Sequence, residues 1–148
     1  MKIEVDGQQV EAYDLLMRKE YAKEIISGKK KVEFRSFSDY YCDRFFDKET
    51  VKRNQKNGRH MGEDGFENEF KDVWYIHFHN YNNTWYLDVE ISETGMFCVD
   101  SQDVEEFARD YPDFADYLPD AHENDKLPED ERPMLFYLVI DKVVSTNL

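Results

Sequence analysis

The residues best suited to chemistry in this chain lie in one short stretch, "SGKKKVEFRS" (27–36). Three lysines, Lys29 to Lys31, run together; Glu33 and Arg35 follow on alternate positions. A guanidinium such as Arg35 grips a phosphate or a carboxylate through two parallel hydrogen bonds. A lysine amine beside a carboxyl group acts as a base or nucleophile when neutral. When charged it holds a phosphate or a polar carbonyl. Glu33 and Arg35 share one face of a strand, so they can pair with each other. Strict alternation puts Lys30 on the opposite face, and it reaches the same side only if the strand begins after it. Gly28 supplies the sharp turn that this requires. The competing reading is structural: a Glu33–Arg35 ion pair that pins the fold, with the lysines merely solvated.

A second group is Tyr75, His77 and His79, which alternate on one side of "DVWYIHFHNY" (72–81). Two histidines on a strand face can ligate a metal, but a third ligand is needed and no spacing identifies one, so no metal site is assigned. The same three rings offer a surface on which bases can stack. Ordinary packing under the long loop explains them more simply than either. "KRNQKNGRH" (52–60) reads either as a basic flap or as an unstructured loop.

The wider composition limits what these groups can serve. The chain has 148 residues, 41% hydrophobic and 16% aromatic, enough for one domain with a real core. It carries 33 acidic residues against 19 basic, a net charge of −14, which opposes non-specific binding to nucleic acid. The charge is polarised along the chain. From Arg18 to His60 there are 13 basic residues and 7 acidic; from Asp100 to Glu131 there are 2 basic and 13 acidic. No apolar run approaches the roughly 18 residues of a membrane span. The start, "MKIEVDGQQVEAY", alternates polar and apolar residues, unlike a signal peptide. Cys42 and Cys98 form no C-x-x-C pair, which points to a reduced, cytoplasmic protein with free thiols.

The elements that must position these groups follow from periodicity. Residues 1–12 read as a hairpin around Asp6-Gly7. Residues 13–18 form a buried strand, 19–28 a short helix and 30–38 a returning strand. In the helix, Tyr21, Ala22, Ile25 and Ile26 make the apolar face. A helix within "DYYCDRFFDKETVKRNQ" (39–55), with Tyr41, Phe45 and Phe46 inward, is one option, and 48–71 reads as a mobile loop. Strands are predicted over 72–81 (Trp74, Ile76 and Phe78 inward), 82–91, 95–99 and 133–145. A helix covers 101–112 and an acidic loop 112–133. About six strands and two or three short helices give an α+β fold, a small, partly open β-barrel with helices at its ends.

At "RKEYAKEIISGKKKVEFR" (18–35) the chain resembles the ASCH domains, a branch of the PUA-like superfamily. The family signature G-x-K-x-x-E-x-R is met by Gly28, Lys30, Glu33 and Arg35. Arg18 occupies a place where a basic residue is common, and Lys19 replaces a frequent proline. The resemblance implies a PUA-like barrel with a basic cleft that binds RNA or nucleotides through Arg18, Lys30, Glu33 and Arg35. The partner it suggests is a short single-stranded RNA or a modified nucleoside, with no cofactor and no membrane. Some small relatives deacetylate N4-acetylcytidine and a few are ribonucleases, so Lys30 and Glu33 are the catalytic candidates if the chain is an enzyme. In those amidohydrolases a threonine stands three residues after the lysine, where this chain has Glu33. A third reading uses the acidic 100–131 segment as a protein-interaction surface.

Overall fold

The sequence alternates sharply between sheet-forming and helix-forming periods, and a computed structural model describing residues 1–148 shows how they assemble. The fold is α+β, with seven strands and five α-helices. It comprises two compact units: residues 1–36 with 73–148, and residues 37–72.

In the first unit, β1 (Lys2–Val5) and β2 (Gln8–Glu11) form the expected hairpin. Asp6 and Gly7 both take positive φ, 50° and 79°, as a type I′ turn demands. The main sheet contains β3 (Tyr13–Leu16), β4 (Val32–Ser36), β5 (Tyr75–His79), β6 (Tyr86–Cys98) and β7 (Met134–Thr146). Its spatial order is β3-β5-β6-β7-β4. β3 runs parallel to β5, and the other neighbours are antiparallel. The segments predicted as two strands, 82–91 and 95–99, are one 13-residue strand. Register shifts at Asp88/Val89, Glu90/Ile91 and Ile91/Glu93 bend it, as bulges do, and let it serve β5 at one end and β7 along its length. Gly95 lies opposite Tyr137, whose ring fills the space a Cβ would need.

The sheet curls into a half-barrel. Along one face run Tyr13 and Leu15, Ile76 and Phe78, then Leu87, Val89 and Ile91, all buried. The edge strands β3 and β4 share no ladder. They are tied instead by Arg35, whose Nη2 donates to the Leu16 carbonyl at 2.8 Å. Between them in sequence lies α1 (Lys19–Ser27), which buries only Ala22 and Ile25. Tyr21 and Ile26, expected inward, are exposed, because a nine-residue helix on a curled sheet presents a narrow stripe.

The opposite face of β4, β6 and β7 carries a second core. Val32, Phe97, Val99, Tyr137 and Val139 meet Val104 of α4 (Ser101–Asp110), Phe114, and Ala121 of α5 (Leu118–Asn124). Phe114 is at the centre, with ring centroids 4.9 Å from Phe97, 5.0 Å from Phe34 and 5.4 Å from Tyr137. The stretch 112–133, expected as a loop, therefore holds a 3-10 helix (Pro112–Tyr117), α5 and a short 3-10 turn (Glu129–Glu131). Tyr111, Phe114 and Tyr117 recur every three residues, the period of a 3-10 helix. Trp74, expected in the core, precedes β5 and is 45% exposed, whereas Trp85 is buried.

In the second unit, α2 (Asp39–Phe45) and α3 (Lys48–Lys56) are capped by Ser38 and Asp47. The first nine residues of the expected 48–71 loop are thus helical, and the remainder is strapped back. The buried Asn54 donates to the Glu67 carbonyl at 2.9 Å and to Glu69 Oε2 at 3.2 Å, and accepts from the Glu67 N–H at 3.1 Å. Arg53 adds a two-point contact with Glu67. No helix of the chain is long and apolar enough to cross a membrane.

Truncating Phe114 to Ala should cost about 3–5 kcal/mol in urea unfolding, since it empties the centre of the second core. Asn54→Ala should raise amide exchange at Glu67 by at least tenfold, because one side chain satisfies both backbone groups there; the lost bond is worth about 1–3 kcal/mol.

Candidate functional site

The end of α1 and the start of β4 build the site. Gly28 takes φ 82° and closes the helix with an N–H donated to the Ile25 carbonyl at 3.1 Å. The chain reverses, the Lys30 N–H reaches back to the Glu24 carbonyl, and β4 begins only at Val32. Lys30 therefore precedes the strand, which frees its side chain from the alternation. Its Nζ donates to the Val32 carbonyl at 2.7 Å and lies 3.8 Å from Glu33 Oε2. It also sits 5.8 and 5.6 Å from the ring centroids of Tyr21 and Phe34, within cation–π reach.

Glu33 stands between the two cations. Arg35 Nε donates to its Oε1 at 3.2 Å, while its Oε2 has no hydrogen-bond partner. The three side chains are only 16% (Lys30), 9% (Glu33) and 13% (Arg35) exposed. Burial pushes the Glu33 carboxyl above its ordinary value of 4.5, against the pull of Arg35 and then Lys30. The geometry brings the three side chains of this stretch together. The Glu33–Arg35 pair does pin the fold, and Lys30 does share its carboxylate.

Above this carboxylate opens a cleft of about 580 Å³. Tyr21, Phe34, Pro112 and Tyr117 supply flat walls, and Lys30 and Glu33 supply polar groups. Burial, with the nearby Glu33 charge, pushes the Tyr117 hydroxyl up to about 12, so it is a neutral hydrogen-bonding group here. The remaining lining residues are Glu24, Lys29, Asp113 and Asp116. The cleft is therefore not basic, as the charge run in the sequence suggested: four carboxyl groups face two lysines. The acidic segment supplies the far wall. Asp113 Oδ2 accepts from the backbone N–H groups of Lys31 at 2.8 Å and Val32 at 3.1 Å, fastening that wall to the motif. Sequence reasoning missed Asp113, Asp116 and Tyr117, and the three-residue aromatic spacing around Phe114 is the signal that would have placed them.

Other expected site residues lie elsewhere. Arg18 is an exposed residue beside Glu20, at 3.8 Å, and does not line the cleft. Arg35 is adjacent to the cleft through Glu33 but is turned toward Leu16. Tyr75, His77 and His79 share a strand face as read, yet the histidines are engaged rather than open for stacking. His77 Nδ1 meets Asp88 Oδ1 at 2.5 Å, and its ring lies against Tyr86, 5.8 Å between centroids and 16° from parallel. His79 Nε2 contacts Asp14, and its Nδ1 meets the Asn80 carbonyl at 2.8 Å. Burial pushes the Asp88 carboxyl up, opposed by His77. No set of three or more His, Cys, Asp or Glu side chains is placed to hold a metal ion, and Cys42 and Cys98 are unpaired.

Comparison with protein-family models, curated proteins and solved structures finds no match to the chain.

The raised carboxyl has a consequence for stability. The folded protein holds the Glu33 proton more tightly than the unfolded chain does, so stability falls as pH rises from 4.5 upward through the folded value. Glu33→Gln removes that titration. The stability of the wild-type protein relative to Glu33→Gln should therefore decline as pH rises from 4.5 upward, read from urea midpoints. A difference that grows with pH would mean that Arg35 and Lys30 outweigh burial.

Proposed function

We propose that this chain is an ASCH-type, PUA-like domain that takes a nucleoside, or one base of a short single-stranded RNA, into the cleft beside Lys30 and Glu33. One observation carries the reading: a buried amine–carboxyl pair, 3.8 Å apart, lines a cleft walled by the rings of Tyr21, Phe34 and Tyr117. A planar base stacks on such walls, while a few polar groups fix its edge. The volume of about 580 Å³ suits a ligand of that size. The positions of Gly28, Lys30, Glu33 and Arg35 support the family reading, because each plays a distinct part there: Gly28 stops the helix, Lys30 brings the amine, Glu33 brings the carboxylate and Arg35 ties the sheet edges.

A second reading, a hydrolase of an acylated nucleoside or a phosphodiester, is favoured by the partnerless Oε2 of Glu33 beside an amine. In that reading Lys30 and Glu33 exchange a proton with the substrate, and the attacking group is water.

Calorimetric titration with nucleosides and with short RNAs tests binding. The expected outcome is saturable binding that Lys30→Ala weakens by about tenfold or more, the worth of one charge-assisted hydrogen bond. Flat titrations across all of these ligands would refute it. Incubation with N4-acetylcytidine and with labelled RNA separates the two readings: binding without product leaves the module a binder.

A further inference from the structure

The outer edge of β4 forms one side of the cleft, and the strand register fixes which backbone groups it presents. The Ile140 N–H donates to the Lys31 carbonyl at 2.9 Å, and Val32 lies opposite Val139. In an antiparallel ladder, residues that exchange bonds with the partner strand alternate with residues whose N–H and C=O point away. Lys31, Glu33 and Arg35 therefore face β7, while Val32 and Phe34 turn theirs to the outer edge, where no strand pairs. Val32 shows this directly. Its N–H is taken by Asp113 at 3.1 Å and its carbonyl by Lys30 at 2.7 Å, and both of those residues line the cleft. Phe34 lines the cleft as well, but its N–H and carbonyl have no protein partner. One donor and one acceptor thus stand side by side on a strand, next to the Tyr117 ring, whose centroid is 4.9 Å from that of Phe34.

We propose that the Phe34 backbone reads the Watson–Crick edge of an unpaired nucleobase. The assignment rests on the reading of the cleft as a nucleoside site and deepens it. Every nucleobase carries a donor beside an acceptor on that edge: N1–H and O6 in guanine, N3–H and O4 in uracil, the exocyclic amine and the adjacent ring nitrogen in adenine and cytosine. The base donor meets the Phe34 carbonyl, the base acceptor meets the Phe34 N–H, and the ring walls take the face of the base. Contact of this kind does not choose among the four bases; it requires that the edge be open. A base paired in a duplex has that edge occupied. A methyl on the ring nitrogen removes the donor and sets a carbon against the Phe34 carbonyl, which is then left unmet. An extended peptide is the other common guest of a bare strand edge. Here the outward groups of Val32 are already taken, so a ladder cannot run on toward the start of β4, and a single planar guest suits the opening.

Methylated pairs test this. Uridine and 3-methyluridine, like guanosine and 1-methylguanosine, are uncharged at neutral pH and differ only at that edge. Backbone amide NMR titration of the whole chain reads affinity, and the Phe34, Asp116 and Tyr117 amides report where the ligand sits. The unmodified nucleosides should move the Phe34 amide proton downfield, and each N-methyl partner should bind about tenfold more weakly, the effect of one hydrogen bond whose protein side is left unmet. A short single-stranded RNA should displace uridine, and the same RNA annealed to its complement should not. Equal affinity within either pair, displacement by the duplex, or a Phe34 amide that stays unmoved while Asp116 and Tyr117 respond would overturn the edge reading and leave the nucleoside site standing. No response at any of these amides, with any of the compounds, would overturn both.

Discussion

The structure depends on one carboxylate held between two cations. Removing Glu33 from water is unfavourable unless its charge is matched and its oxygens are used. Arg35 and Lys30 supply the match, one from the same strand and one from the turn before it. Because Arg35 is held by Glu33, its second nitrogen is positioned to reach the Leu16 carbonyl on the opposite sheet edge. An edge carbonyl that would otherwise depend on solvent thereby gains a partner, and the half-barrel acquires a tie where it has no ladder. Lys30 is fixed by the same carboxylate and by the Val32 carbonyl, so the amine enters the cleft in one defined position.

That arrangement makes structure and candidate chemistry inseparable. A Glu33–Arg35 pair that only stabilised the fold would use both carboxyl oxygens. Here Oε1 takes the guanidinium and Oε2 lacks a hydrogen-bond partner. One oxygen of the carboxyl group is bonded to the guanidinium, and the other is buried 3.8 Å from the Lys30 amine that lines the cleft. The acidic segment completes the enclosure by position rather than by charge. Asp113 binds two backbone N–H groups at the start of β4, and the aromatic residues around it pack on the sheet. Its charged neighbours then stand at the rim, which turns a basic sequence motif into an acid-rimmed site.

Much of the frame was readable from residue order. The hairpin at Asp6-Gly7, the β3–α1–β4 unit, the helix stop at Gly28 and the burial of Ile76, Phe78, Leu87 and Val89 all follow from local rules: turn chemistry, capping and a period of two. The errors share a cause. Two strands were expected where β6 is one, because a bulged strand interrupts its own alternation. Residues 48–56 and 112–124 were read as loop because their helices are short and highly charged. They are held by caps and by a few apolar anchors such as Phe114 and Ala121 rather than by long amphipathic stripes. Tyr21 and Trp74 were placed inside because they are large and apolar, a rule that fails wherever a ring lines a cleft or precedes a strand.

The amino-acid order by itself determined which groups are available at the motif and which side of the strand two of them share, because alternation and a glycine helix stop act over a few residues. Only the tertiary structure decided that Lys30 joins them, that Arg35 spends its reach on Leu16, and that the cleft carries more acid than base. The physical reason is distance along the chain. Asp113 lies far along the sequence from Lys31, and its two hydrogen bonds to the backbone there arise from packing Phe114 against the sheet, a contact to which no local pattern at the motif refers.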